Sequence, residues 1–297
     1  MALLRHPELD IVGPLDHPGQ IAKAIVDVDA VLIRLWPLDR EAIRSAKHLK
    51  VIAKHGVGLD NIDLEACREQ GVLVTVTDQA NRDTVSEYVL GALIAVARRW
   101  RGADAAVRRG EYGARDRYVG VEWSGKTIGV VGYGRIGSTL TPKLVYGLGS
   151  NVLVYDPYVP RKKLWHHERV QWAGTLDECL AASDAVTLHV PLTPETFRLF
   201  DQRRIQHMKP GAFLINAARG PIVDPDALVW ALQSGHLAGA AVDEFDPEPP
   251  LADCPLWDLP NLLVTPHIAA STEEAVRRMG IAAALAVMET LGLSPSD

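Results

Sequence analysis

The chain has 297 residues, 47% hydrophobic and 23% charged, with a formal net charge of −6, which suits two globular domains of moderate size and argues against a nucleic-acid partner that needs a basic surface. The three cysteines, Cys67, Cys179 and Cys254, form no CxxC pair, so neither a disulfide framework nor a metal site is expected, and a reducing, cytoplasmic setting is. The apolar stretch 88–97 is shorter than the roughly 18 residues that cross a bilayer, and no basic segment leads into an apolar run at the N-terminus, so neither membrane nor secretion is expected.

In chain order, short apolar runs at 10–13, 30–34, 51–54 and 72–77 read as strands. A long helical pattern over 84–108 follows, apolar at first and basic at its end. A second series of strand-like runs occupies 127–131, 151–155, 185–190, 212–216, 239–242 and 262–265. Runs that are apolar along their whole length suit strands covered on both faces, and their alternation with helical patterns predicts parallel sheets. A last helix is expected over 273–291, capped by Ser271 or Thr272. The fold class is therefore α/β with two doubly wound parallel-sheet domains, the larger of Rossmann type. The smaller takes residues 1–81 plus 273–297, the larger 82–272.

The second series opens on Thr127-Ile-Gly-Val-Val-Gly-Tyr-Gly-Arg-Ile-Gly137, with Gly132, Gly134 and Gly137 in GxGxxG spacing between a strand and a helix. Gly132 permits the tight turn, Gly134 lets a pyrophosphate approach the backbone, and Gly137 allows helix to pack on strand. A diphosphate would then meet the positive end of the helix. The next strand ends at Asp156, about 20 residues on, where a carboxylate accepts from the ribose hydroxyls and repels a 2′-phosphate. NAD is the cofactor expected, rather than NADP.

Three strand ends of the second series carry Arg219, Glu248 and His267. Ligands of an open parallel sheet collect beyond the carboxyl ends of its strands. An arginine holds a carboxylate through paired bonds, and a histidine exchanges a proton near neutrality. A carboxylate beside that histidine orients the ring and raises its pKa.

The strings Asn216-Ala-Ala-Arg-Gly220, Ala241-Val-Asp-Glu-Phe-Asp-Pro-Glu-Pro249 and Thr265-Pro-His-Ile-Ala269, with Lys54-His-Gly-Val-Gly-Leu-Asp-Asn61 and the glycine-rich segment, resemble the D-isomer-specific 2-hydroxyacid dehydrogenase family over nearly the whole chain. The resemblance implies hydride transfer between NAD and C2 of a small anionic D-2-hydroxy acid. Arg219 would bind substrate, His267 would act as acid and base, and Glu248 as its partner. Asp243 would bond the nicotinamide carboxamide, and Arg135, Ile136, Val190, Ala217, Ala218, Ala269 and Ala270 would line the cofactor. The backbone around Val57 and Gly58 would help hold the substrate carboxylate. A homodimer is implied as well. Formate dehydrogenases of the family carry glutamine at the Glu248 position, which disfavours that branch.

The pattern is closest to the phosphoglycerate dehydrogenases, whose arginines at the positions of Arg34 and Lys54 meet the phosphate. A substrate with a second anionic group follows, 3-phosphoglycerate first, although Lys54 lacks the guanidinium fork. Relatives open with a strand, a turn and a helix before the segment aligned with residues 3–12. The smaller, flavodoxin-like sheet is therefore expected to lack its first strand, and no regulatory domain is expected beyond Asp297. Some transcriptional co-repressors keep this fold and these residues as NAD-sensing binding modules, which stays open as the alternative.

Overall fold

The computed structural model describes residues 6–294. They fall into two compact units, one made of the residues up to Asn81 together with those from Thr272 onward, the other of Arg82–Ser271.

In the larger unit, β4 (Thr127–Val131), β5 (Asn151–Tyr155), β6 (Val170–Trp172), β7 (Ala185–Leu188), β8 (Ala212–Asn216), β9 (Leu237–Val242) and β10 (Leu262–Val264) form one parallel sheet. Its order is β10-β9-β8-β7-β4-β5-β6. The chain runs outward from β4 to β6, then crosses back to β7 on the other side of β4. That reversal opens a crevice at the carboxyl ends of β4 and β7, where α/β sheets of this kind bind nucleotides.

Successive residues of these strands serve opposite cores. Val131, Val186, Leu188 and Leu214 pack with α7 (Leu176–Ala182), α8 (Gln202–His207) and α9 (Pro225–Gln233). Ile128, Val130, Phe213 and Ile215 pack with α4 (Arg82–Ala97) and α6 (Arg135–Leu148). Alternation across a strand makes this two-sided burial possible.

The pattern over 84–108 predicted one helix, and the chain makes two. After α4 the backbone breaks at Arg99 (φ 53°), and α5 runs over Trp100–Arg108. The Val121 amide bonds the Ala97 carbonyl at 3.0 Å, so that carbonyl is paired outside the helix and α4 ends there. The edge strand β6 is too short to show a period and was not expected.

The smaller unit has α1 (Ile21–Ala24), α2 (Arg40–Ser45), α3 (Leu64–Gln70) and α10 (Glu273–Thr290) around a parallel sheet of β1 (Ala30–Ile33), β2 (Val51–Lys54) and β3 (Leu73–Val76), ordered β1-β2-β3. Val51 and Ala53 face Ala283 and Val287 of α10, and Ile52 faces the opposite core with Ile43 and Ala66. Thr272 caps α10, its hydroxyl accepting from the Ala275 amide at 3.2 Å.

Residues 10–13, read as a strand, form none, and residues 6–12 form no helix. Ile11 and Val12 have no ladder partner among the described residues and stand 51% and 60% exposed. Beside them an apolar groove of about 420 Å³ runs along β1, lined by Val12, Leu15, Ile25, Leu32 and Trp36. Among the described residues, no strand pairs with the outer edge of β1. Of the aligned segment 3–12, residues 3–5 lie outside the described residues.

Candidate active site

Three adjacent strands, β8, β9 and β10, assemble the polar centre. Their register aligns Asn216 with Val242 and Val242 with Val264. Arg219, Glu244 and His267 lie two or three residues beyond those aligned positions. Neighbouring strand ends in register therefore carry all three side chains to one place.

Local contacts fix each loop. Gly220 lets the Arg219 loop pass the Glu244 loop closely, since a Cβ there would stand 2.1 Å from the Phe245 carbonyl oxygen. Asn216 ties the same loop, donating to the Arg219 carbonyl at 2.9 Å and accepting from the Ala218 amide at 3.1 Å. His267 holds a left-handed backbone (φ 52°), a conformation uncommon outside glycine, which costs energy and persists where the surroundings support it.

Asp243 supports it. Its carbonyl accepts from the His267 amide at 2.8 Å, and its carboxylate accepts from the Ile268 amide at 2.9 Å and the Ala269 amide at 2.7 Å. Thr265 adds a hydroxyl at 2.5 Å and is itself paired with the Tyr88 hydroxyl at 2.5 Å. Burial pushes the Tyr88 phenol up to about 12. Asp243 has no exposed surface. Its carboxylate faces inward and anchors the His267 loop, a role that residue spacing alone did not predict.

His267 donates or accepts at both ring nitrogens. Nδ1 lies 2.7 Å from Glu248 Oε1, the expected partner. Nε2 lies 3.2 Å from Glu244 Oε1, which was not expected. The same Glu244 oxygen is 2.9 Å from Arg219 Nη1. Glu244 is buried, and its carboxyl is pushed up to about 7. Burial dominates that rise; Arg219 and His267 oppose it, and Glu248 and Asp243 add to it. The missed signal lay in the motif itself, because a second carboxylate stands directly after Asp243 at the end of β9. Glu244, Glu248 and His267 offer ligand atoms within 4.8 Å of one another. With the Arg219 guanidinium against Glu244 and a carboxylate at each nitrogen of His267, the group reads as an acid–base cluster.

The glycine-rich turn lies at the carboxyl end of β4. Gly132 has φ 96°, and a Cβ there would meet the His189 carbonyl oxygen at 2.5 Å. A Cβ on Gly137 would stand 2.1 Å from the Gly132 carbonyl oxygen. Gly134, by contrast, has nothing within 4 Å of where its Cβ would be, so the backbone there is open to a ligand at the start of α6. Arg135 is exposed; Ile136, Val190, Ala218 and Ala270 are half-buried, and Ala217 and Ala269 buried. Asp156 accepts from the Tyr133 amide of the turn at 2.8 Å and from Tyr158 and Val159 amides at 2.8 and 2.9 Å. A carboxylate has about four lone-pair sites, so one further acceptor position remains. His189, beside the turn, has its imidazole pushed down to about 3 by burial and is neutral at pH 7.

In the smaller unit, Ile33 aligns with Lys54 across β1 and β2. Arg34 is exposed. Lys54 is buried, and its ammonium donates to the Arg34 carbonyl and the Asn61 side-chain oxygen. Asn61 in turn donates to the Trp36 carbonyl at 2.6 Å. Lys54 and Asn61 thus tie down the Arg34–Trp36 segment. Val57 is exposed and Gly58 half-buried in the loop after β2.

Residues 90–269 match the family model described as D-isomer specific 2-hydroxyacid dehydrogenase, NAD binding domain. A D-3-phosphoglycerate dehydrogenase of Methanocaldococcus jannaschii is 40% identical over 273 residues, covering 92% of this chain and 51% of the relative's length. The chain thus spans about half the length of the phosphoglycerate dehydrogenases it matches. A glyoxylate reductase of Thermofilum pendens is 41% identical over 89% of this chain and 79% of its own. Among solved structures, the TT0316 protein of Thermus thermophilus superposes with a TM-score of 0.85 at 37% identity, over 96% of this chain and 90% of its own. Among the described residues, no helix is long and apolar enough to cross a membrane.

Proposed function

Since the chain belongs to the D-isomer specific 2-hydroxyacid dehydrogenase family and carries that family's NAD-binding segment at residues 90–269, we propose that it interconverts a small D-2-hydroxy acid and its 2-oxo acid with NAD. The observation that carries this reading is the convergence of Arg219, His267 and Glu248 beyond three neighbouring strands of the sheet whose glycine-rich turn stands open at Gly134.

The residues fit NAD. The open backbone at Gly134 and the start of α6 suit a diphosphate, and Asp156 keeps an acceptor for a ribose hydroxyl while its charge repels a 2′-phosphate. NAD, when bound, supplies the acceptor for the hydride that leaves C2. Arg219 binds the substrate carboxylate and polarises the C2 oxygen. His267 takes the hydroxyl proton in oxidation and returns it in reduction. Glu248, on Nδ1, fixes the ring so that Nε2 faces the reacting oxygen, and it steadies the protonated imidazole.

The finer reading is a substrate with a second anionic group, 3-phosphoglycerate first. Arg34, at the carboxyl end of β1, would meet that group, with Lys54 holding the Arg34 segment in place. A homodimer, a cytoplasmic location and a substrate carboxylate held by backbone amides around Val57 and Gly58 belong to the same proposal.

NADH oxidation across phosphohydroxypyruvate, hydroxypyruvate, glyoxylate, pyruvate and an aliphatic 2-oxo acid tests both levels. Turnover of about 1 per second or more on any of them supports the enzyme. NADH binding without turnover on all of them favours the NAD-sensing alternative. Arg34→Ala should lower kcat/KM selectively for the phosphorylated substrate; equal losses on all substrates would remove the anionic-tail reading.

A further inference from the structure

One oxygen of Glu244 sits where the proposed reaction needs an oxygen of the substrate. Oε1 is 2.9 Å from Arg219 Nη1 and 3.2 Å from His267 Nε2. These are the two groups assigned above to the C2 oxygen of a 2-oxo acid. Glu248 already occupies Nδ1 of His267, so Nε2 is the ring nitrogen left for substrate, and Glu244 holds it.

We propose that Glu244 is a specificity-determining residue that stands in for the substrate in the free protein, so that an anionic 2-oxo acid binds only as Glu244 takes up a proton and gives up Arg219 and His267. This rests on the reading of Arg219 and His267 as the substrate-binding pair.

The electrostatics support the coupling. An ionised Glu244 and an incoming carboxylate would be two like charges competing for one guanidinium in a buried place, a repulsion that low polarity strengthens. The charged and titratable groups facing Glu244 are Arg219 from the loop after β8, His267 from the loop after β10, and Asp243 and Glu248 from its own loop. The Asp243 carboxylate accepts from the Ile268 and Ala269 amides and the Thr265 hydroxyl. The carboxyl of Glu244, raised to about 7, lies in the range where a proton can be taken from neutral solution. At pH 8 about one molecule in ten has it neutral, and apparent affinity falls by the fraction that is competent. The consequence for specificity is that acidic pH favours anionic 2-oxo acids, and that only substrates able to displace a carboxylate from Arg219 are accepted.

The test is binding of oxamate, a non-reducible anion of the 2-oxo acid class, to the full chain saturated with NADH, by calorimetry from pH 5.5 to 8.5, for the wild type and Glu244→Gln. At pH 8 the variant should bind oxamate about tenfold more tightly, with NADH affinity within about twofold of the wild type. The wild-type slope of log Kd against pH should exceed the variant's by up to one above pH 7. Equal affinity and slope in the two proteins would overturn the inference and leave the dehydrogenase reading standing. Oxamate binding to neither protein at any pH would overturn the inference, and the dehydrogenase reading is then decided separately by NADH oxidation across the five 2-oxo acids. If E244Q does not fold, Glu244→Ala decides: it should also bind oxamate more tightly than the wild type at pH 8 and with a shallower slope against pH, and wild-type affinity and slope in it would overturn the inference.

Discussion

The two sheets of this chain differ in how completely their strands are covered. In the seven-stranded sheet β7, β8 and nearly all of β4 and β9 are buried. In the three-stranded sheet only β2 is buried throughout, and β1 and β3 show exposed side chains. The unit with buried strands presents an acid–base cluster at its strand ends; the other presents an apolar groove along β1, whose outer edge no described strand covers. Side chains locked by packing on both faces hold the backbone, and the loops that leave it, to one geometry, which chemistry requires.

The largest expected effect breaks the chemistry at the ends of the buried strands. His267→Ala should lower turnover by about 10² to 10⁴, the range of general acid–base catalysis, while NADH affinity measured by fluorescence changes less than about twofold. A variant retaining more than about a tenth of the turnover would remove His267 from the proton transfer.

The comparison of the sheets themselves is tested by stability. Leu188 is fully buried in β7 and Leu32 is 42% exposed in β1. Leu188→Ala should cost about 2–5 kcal/mol, and Leu32→Ala within about 0.5 kcal/mol. Similar losses by chemical denaturation would mean that the two sheets are equally well covered in solution.

Glu244 gives the buried centre a pH signature. Its carboxyl rises from the ordinary 4.5 to about 7 in the folded chain, so folding favours the protonated form. That contribution is full below about 4.5 and is lost as pH rises through about 7. Glu244→Gln stays neutral, and should therefore be more stable than the wild type at pH 8 by on the order of 1–3 kcal/mol, and near it at pH 4.5. A gain at low pH and none at high pH would reverse the sign and refute the raised value.

The smallest effect concerns the cofactor. Asp156→Ser should narrow the preference for NAD over NADP by about tenfold, the equivalent of about 1.4 kcal/mol, read as the ratio of kcat/KM values. A wild type that already uses both cofactors equally would remove the role given to Asp156.

Most of the larger unit was legible from its residues. Each of the six runs from 127 to 265 lies on a strand, because a strand covered on both faces needs an unbroken apolar run and the sequence has one at each place. The smaller unit was less so. Ile11 and Val12 are apolar and β-branched as well, yet a strand also needs a partner, and none of the described residues provides one. Gly132 and Gly137 were readable because a missing Cβ is a local fact; that Gly220 serves the Arg219 loop was not, because the Phe245 carbonyl it avoids comes from another strand's loop.

The sequence by itself determined the two α/β units, the glycine-rich turn with Asp156 after it, and the identities of Arg219, Glu248 and His267. All of these rest on periods, spacings and residue chemistry carried within short segments. Only the tertiary structure decided that Glu244 shares an oxygen between Arg219 and His267, that Asp243 turns inward to brace the His267 loop, and that Lys54 lies beneath the Arg34 segment. Each of those outcomes depends on which strands are neighbours and in what register, and register is set by packing between segments distant in the chain.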